Sequence, residues 1–499
     1  MEVLSVNYIF SRSFVVFNGV SKEMFIFFLF PIFLTAEYRV PPMLSNTTYV
    51  IAWNAPSDKC MRLYQIFMDL SIYSLIGIPE FHKTDQNITF FSVDMLGRYP
   101  HLDPVTRQDR YGGIPQSGDL KMHLQKAEKD IVSYLPRDQL GLAVIAWDIW
   151  NPLWIRNLID KYVYRVKSIQ KVKRSKPGLA DKEADIAAKI EFEQAAREFM
   201  VTTLQLGKRL RPKNYWGFFH FPNCYNNNYR NNKNYTGSCP EAEKQRNNEL
   251  NWLWSESTAL YPYIYLTTDL RQSPKAALFA RNRINEAFRV AKVSNSKKPL
   301  PVFVYVHPVF RDRSTEYLTE TDLVSTIGET YALGAAGIVI WGGFNITHSR
   351  VACKNLQNFE RQTLSPYLIN VTLAAKMCHH VLCQDKGLCT RKNWNSNDYL
   401  HLNPRNFLIK FAYCDKFTVY GEPSVEDLKK FSDKFDCTCF TNVTCKKNDN
   451  IENVKNIRVC IKEDVCISAV VSPEHNAIPA AGTRSTTKKT TTERQPTIV

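Results

Sequence analysis

Short apolar runs recur through the first two-thirds of the chain, each closing on polar or aromatic residues and each followed by helical spacing. Residues 50–53, 88–91, 142–147, 215–219, 264–266, 302–305 and 337–341 read as strands. The longest helical stretch, 181–210, is rich in Ala, Glu and Lys, and Pro212 marks its stop. Strands alternating with helices over about 320 residues predict an α/β fold with a parallel sheet. Seven strands over that length favour a closed barrel. No Gly-rich dinucleotide loop follows the first strand, which counts against an open doubly wound sheet. In a barrel the chemistry sits where strands end and loops begin.

The ends of the chain have a different pattern. In residues 1–36, Arg12 and Lys22 precede an apolar run at 24–34 that gives way to small residues ending at Ala36, as in a signal sequence. That run is too short for a bilayer, which needs roughly 20 residues. No later run is apolar for 18 residues, so no transmembrane segment is expected. Residues 471–499 read as a polar disordered tail without the hydrophobic end a lipid anchor requires. The expected product is secreted and extracellular.

Composition narrows the class. Hydrophobic residues at 44%, aromatics at 12% and 19 Gly exclude collagenous, coiled-coil and largely disordered chains. The formal charge of +16 suits a polyanionic partner. Sequons at Asn46, Asn87, Asn234, Asn345, Asn370 and Asn442 predict glycosylation on exposed loops outside the cell, so no nucleic acid partner is expected.

Thirteen cysteines agree with that compartment. Nine crowd into residues 378–466, as in a small module that relies on cross-links. Cys378, Cys383 and Cys389, then Cys437, Cys439 and Cys445, have epidermal-growth-factor-like (EGF-like) spacing with a long insertion. That spacing implies pairs 378–389, 383–437 and 439–445, with Cys460 and Cys466 closing a further short loop, although spacing alone leaves connectivity open. A zinc site is the rival reading for close cysteines, and an oxidising compartment disfavours it. No metal and no cofactor is expected. Cys414 matches no spacing and is the candidate for the unpaired thiol or for a bond between two chains.

Several motifs carry a resemblance. Leu142-Ala-Val-Ile-Ala-Trp-Asp-Ile-Trp150, Trp53-Asn-Ala-Pro56, Gly112-Gly-Ile-Pro-Gln116, Asn251-Trp-Leu-Trp254, Ala259-Leu-Tyr-Pro262, Gly337-Ile-Val-Ile-Trp-Gly342 and Arg391-Lys-Asn-Trp-Asn395 resemble the animal hyaluronidases, most closely their sperm-surface branch. The resemblance implies a distorted TIM-like (β/α) barrel at 37–360, an EGF-like module at 361–470, hyaluronan or a related glycosaminoglycan as partner, and bridges Cys60–Cys353 and Cys224–Cys239. It also implies a substrate-assisted retaining mechanism, in which the acetamido group of the substrate replaces a protein nucleophile. The family ends one strand in Asp-Trp-Glu. Its Glu is the general acid, and its Asp orients the acetamido group.

In this chain the triplet is Ala146-Trp147-Asp148. The orienting carboxylate is lost and the acid is one methylene shorter. Misplacing a reacting group by ~1 Å can cost on the order of 10²-fold, and losing an electrostatic stabiliser another ~10²–10³. Phe219 stands where the family has a tyrosine, Asn223 where it has an aspartate, and Ser92 where it has an aromatic sugar contact. Tyr265, Arg283 and Trp341 match the family's cleft residues. Each has a plain structural alternative: Trp341 as core, Arg283 as the solvated face of a basic helix, and Tyr265 between the two. Trp53, Trp147 and Trp150 are read as packing. The sequence thus predicts a hyaluronidase-like glycoprotein that is catalytically dead or severely impaired and that acts, if at all, by binding hyaluronan or another cell-surface partner. The alternative is an active endo-β-N-acetylhexosaminidase.

Overall fold

The computed structural model describes residues 37–473 apart from 46, 80–85, 294, 296–297, 412–415 and 442. The expected signal segment, Cys414, the sequons at Asn46 and Asn442, and the tail beyond 473 lie outside the described residues.

Seven parallel strands build the first part of the chain: β1 (Val50–Asn54), β2 (Leu75–Gly77), β3 (Ile88–Phe91), β4 (Gly141–Ile145), β5 (Asn214–Phe218), β6 (Phe303–Val306) and β7 (Gly337–Trp341). Nearly all their residues are buried, as continuous apolar strands covered on both faces must be. One sheet runs β2-β1-β7-β6 and another β3-β4-β5. Segment 259–263 joins them through single bridges, Phe219 with Tyr261 on one side, Leu260 with Val302 and Tyr263 with Tyr305 on the other. At the remaining seam a β-carbon on Gly77 would fall 2.4 Å from the Ile88 carbonyl, so β2 and β3 approach backbone to backbone there. Gly217 plays the same part in β5, where a β-carbon would meet the Ala259 carbonyl at 2.3 Å.

Two strand expectations need correction. Residues 264–266 form no strand, because the pairing in that region falls on Leu260 and Tyr263 instead. The run at 142–147 ends its ladder at Ile145, which leaves Ala146, Trp147 and Asp148 beyond the strand.

Helix α1 (Asp181–Leu210) has the expected bounds. Ala184, Ala188, Phe192, Ala196 and Met200 form its buried stripe at four-residue spacing, and Phe192 packs edge-on against Trp150 and Trp154. Trp53, Trp147 and Trp150 are core residues; Trp53 Nε1 donates to Ser57 Oγ and Trp150 Nε1 to the Pro100 carbonyl.

The cysteine-rich part follows α3 (Ser365–Cys383), which continues from helix Arg350–Phe359 through a widened turn at Glu360–Leu364. Residue 360, the expected boundary between the two parts, therefore lies within a helical run. Six disulfides join Cys60–Cys353, Cys224–Cys239, Cys378–Cys389, Cys383–Cys437, Cys439–Cys445 and Cys460–Cys466. A buried ion cluster ties the module to the strand-and-helix part. Arg281 of α2 (Pro274–Ala291) and Arg391 both bond Glu329, all three are at most 5% exposed, and Tyr399 Oη donates to the same carboxylate at 2.7 Å. Arg281 also reaches the Asn395 carbonyl at 2.7 Å, so both ends of the Arg391–Asn395 motif serve this junction.

The expectation that every sequon lies on an exposed loop fails at Asn370. It is half-buried within α3, and its Oδ1 accepts the Leu402 N–H at 3.0 Å. Asn87 is half-buried at the entry to β3, whereas Asn234 and Asn345 are exposed.

Candidate active site

A cleft of about 770 Å³ opens at the carboxyl ends of β4–β7. Asp148, Asn223, Tyr265 and Trp341 line it, Trp341 as the last residue of β7 and the other three in the segments beyond the strands. Ala146 and Phe219 do not. They lie beneath, at 7% and 6% exposure, in an apolar cluster with Tyr261, Tyr263, Tyr265 and Tyr305. Ser92 lies off the cleft, its hydroxyl enclosed without a partner. Arg283 is only 3% exposed, so the solvated-face alternative is wrong. Its helix α2 is buried along most of its length, and the guanidinium packs over the Tyr263 and Phe279 rings.

The acids of this cleft are Asp148, Asp160 and Glu243. Glu243 is committed to Arg156 and Arg246. Asp148 is exposed, and its backbone carbonyl accepts from Lys161. Burial lowers the Lys161 ammonium, with the negative charges of Asp148 and Asp160 opposing.

Asn223 has its amide orientation fixed by its neighbours. Its Oδ1 accepts from the backbone N–H of Cys224 at 2.8 Å and of Tyr225 at 3.2 Å, which turns Nδ2 to Tyr263 Oη at 3.2 Å. Burial pushes the Tyr263 phenol up, but Arg283 and the Asn223 hydrogen bond outweigh it and hold the group below its ordinary value. Next to it, burial raises Tyr265 well above the usual phenol range.

Sequence reasoning missed five cleft residues: Lys161, His220, Tyr263, His307 and Arg311. His220 follows the end of β5 in a left-handed backbone (φ 69°), stacks on Phe219 at 3.7 Å and lies 4.3 Å from the Tyr263 ring. Burial, then the charges of Arg311, Lys161 and Arg283, lower its imidazole to about 3. His307 follows the end of β6 and contacts Tyr265 and Trp341. His307 stands directly after a strand, His220 stands two residues past one, and Tyr263 shares the strand-like face of Tyr265 two residues on, so the strand-end rule contained the signal for these three. Lys161 and Arg311 carry no comparable mark. Among the described residues no group of acidic, histidine and cysteine side chains suits a metal ion.

Comparison with known proteins places this geometry. A family model described as hyaluronidase matches residues 38–450. The chain is 49% identical over 474 residues to hyaluronidase PH-20 of Homo sapiens, covering 95% of this chain and 92% of that protein. It is 41% identical over 404 residues to hyaluronidase-4 of Homo sapiens, covering 80% and 83%. Bee venom hyaluronidase, solved in complex with a hyaluronic acid tetramer, is 27% identical with a TM-score of 0.58, over 64% of this chain and 98% of that one.

Proposed function

Since the chain belongs to the hyaluronidase family, we propose that it is a hyaluronidase-like protein whose hydrolytic chemistry is lost or severely impaired and whose cleft retains glycan binding. The observation that carries this reading is the carboxylate inventory at the end of β4. Ala146 is apolar and buried. Asp148 faces the cleft without a second carboxylate two residues before it, and Glu243 is consumed by two arginines. A substrate-assisted glycosidase needs one group to protonate the leaving oxygen and one to orient the acetamido nucleophile. In this reading Asp148 keeps the first position in shortened form and Ala146 vacates the second. Phe219 also lacks the hydroxyl that would help to hold the acetamido group.

Glycan binding is supported by the aromatic floor. Tyr265 and Trp341 have rings 6.3 Å apart and nearly parallel, with His307 beside both, a surface suited to sugar faces. The bee venom relative bound to hyaluronic acid makes hyaluronan the partner we infer. We read the seven strands and segment 259–263 as a distorted TIM-like barrel, and residues 361–470 as an EGF-like module with a long insertion. The product in this reading is a secreted glycoprotein; among the described residues no helix is long and apolar enough to cross a membrane.

The second reading, an active endo-β-N-acetylhexosaminidase working through Asp148, draws on the presence of Asp148, Tyr265 and Trp341 in one cleft. Purified protein incubated with hyaluronan between about pH 4 and pH 8 separates the two. The expected result is no shortening of the polymer, together with measurable binding. Fragments released at a rate near that of PH-20 would overturn the first reading.

A further inference from the structure

The cleft floor holds a charge imbalance that sugar stacking does not answer. Arg283 is buried, yet its guanidinium meets only neutral oxygens: Asn226 Oδ1 at 2.9 Å, Asn227 Oδ1 at 3.0 Å and the Tyr263 carbonyl at 3.2 Å. A buried cation without a carboxylate is expensive to maintain. Lys161 reaches a backbone carbonyl, not an acid. Arg311 donates its backbone N–H to the Leu266 carbonyl at 2.8 Å, and its side chain has no bonded partner among the described residues. Arg283 lies beneath the cleft and not in its lining; with Arg311, Tyr263 and Tyr265 it lines an adjoining side pocket of about 250 Å³.

The charges of all three cations act on His220. The Nε2 atom of that ring is enclosed and has no hydrogen-bond partner, and the same holds for Tyr265 Oη and Trp341 Nε1. The charges are one-sided at this end of the cleft: those acting on His220 are Arg311, Lys161 and Arg283, while the cleft carboxylates Asp148 and Asp160 act on Lys161. Asn223 Oδ1 is saturated by two backbone donors, Tyr263 Oη already accepts from Asn223, and Ala146 offers no acceptor. Tyr265 Oη and the His220 ring can each accept or donate, and the positive charge around them favours an anion over a neutral acetamido group.

We propose that the floor between Lys161, His220, Arg283 and Arg311 is an anion subsite, which takes the carboxylate or sulfate ester of an acidic glycan where an N-acetyl group would otherwise sit. This deepens the reading that the cleft holds a glycan, and rests on it. An alternating polymer of uronate and N-acetylhexosamine meets the preference only by shifting one sugar along the cleft. That register puts the wrong linkage beside Asp148 and adds to the lost carboxylate pair, a preference that a carboxylate at position 146 would oppose.

The test uses the full secreted protein, with inorganic sulfate as the first probe at constant ionic strength. Sulfate raises the melting temperature of the parent in a saturable way. The double variant Lys161→Ala, Arg311→Ala loses that shift, and the remote surface variant Arg174→Ala keeps it. By calorimetry, oligosaccharides of equal length from hyaluronan, chondroitin sulfate and chitin then report the source of the anion. The acidic chains bind, at least about tenfold more weakly to the double variant, and neutral chitin does not. Hyaluronan binding best assigns a carboxylate, chondroitin sulfate binding best a sulfate ester. Chitin binding as tightly as the acidic chains, or a sulfate shift unchanged in the double variant, overturns the subsite. A sulfate shift that depends on Lys161 and Arg311, with no glycan binding at all, upholds the anion subsite and overturns the glycan reading instead.

Discussion

Ala146, Asp148 and Phe219 form one functional unit in the proposed site, which makes their repair a sharper test than their removal. Ala146→Asp alone places a carboxylate in the apolar cluster under Tyr265 and should lower stability by about 1–3 kcal/mol without producing turnover. Adding Asp148→Glu and Phe219→Tyr supplies the missing reach and hydroxyl, and the partnerless Tyr265 Oη is available to the new acid. The triple variant is expected to cleave hyaluronan at least about 10²-fold faster than the parent. A folded, secreted triple variant with only parental turnover, measured by fragment size, would place the defect in Ser92, Asn223 or the cationic floor. At this scale the sequence was legible where residues end or follow strands: Asp148, Asn223, Tyr265 and Trp341 fall in the cleft as their positions predict. Arg283 was not, because its helix is buried on nearly all sides and a basic composition suggested water instead.

The widened turn at Glu360–Leu364 gives its element a pH dependence. Glu360 is buried where the helix at Arg350–Phe359 passes into α3, and Ser365 Oγ donates to it. Burial, partly offset by that hydrogen bond, raises the carboxyl from 4.5 to about 7. The folded chain therefore keeps a proton that the unfolded chain releases. The stability this provides is complete below about pH 4.5 and is lost as pH rises through about 7. Unfolding free energies from urea titrations at pH 5 and pH 8 should differ more in the parent than in Glu360→Gln, by an amount on the order of 2 kcal/mol. Buried histidines such as His123 and His379 impose the opposite slope on both proteins and cancel in the comparison. Equal differences in parent and variant would sink the assignment. Elements were legible where apolar periodicity was long, as in α1 and β7, whose bounds agree. The three-residue β2 was invisible, since Leu-Ile-Gly is too short for any period to register.

Across the molecule, the six disulfide pairs of the described residues were foreseeable, four from spacing and two from resemblance, whereas the Glu329 cluster between the strand-and-helix part and the cysteine-rich part was not. Its partners are separated by 48 and 62 positions in sequence, and no local pattern joins them. The Cys60–Cys353 bond spans 293 positions, and its consequence appears when the molecule is held by its ends. Tension applied at residues 37 and 473 passes through that bond as through a strut, so the residues between 60 and 353 lie off the covalent load path. β1, hydrogen-bonded to β2 and β7, and the cysteine-rich part lie on it. In an optical trap the oxidised chain should yield early and extend little. Breaking this bond alone releases 293 further residues, roughly 1,000 Å of contour at ~3.5 Å per residue, and full reduction adds the shorter loops of the cysteine-rich part. Equal extensions before and after reduction would contradict the bond's place in the load path. A protein tethered at both ends would thus give way at β1 and in its small cysteine-rich end, while the long loop behind the bond stays closed.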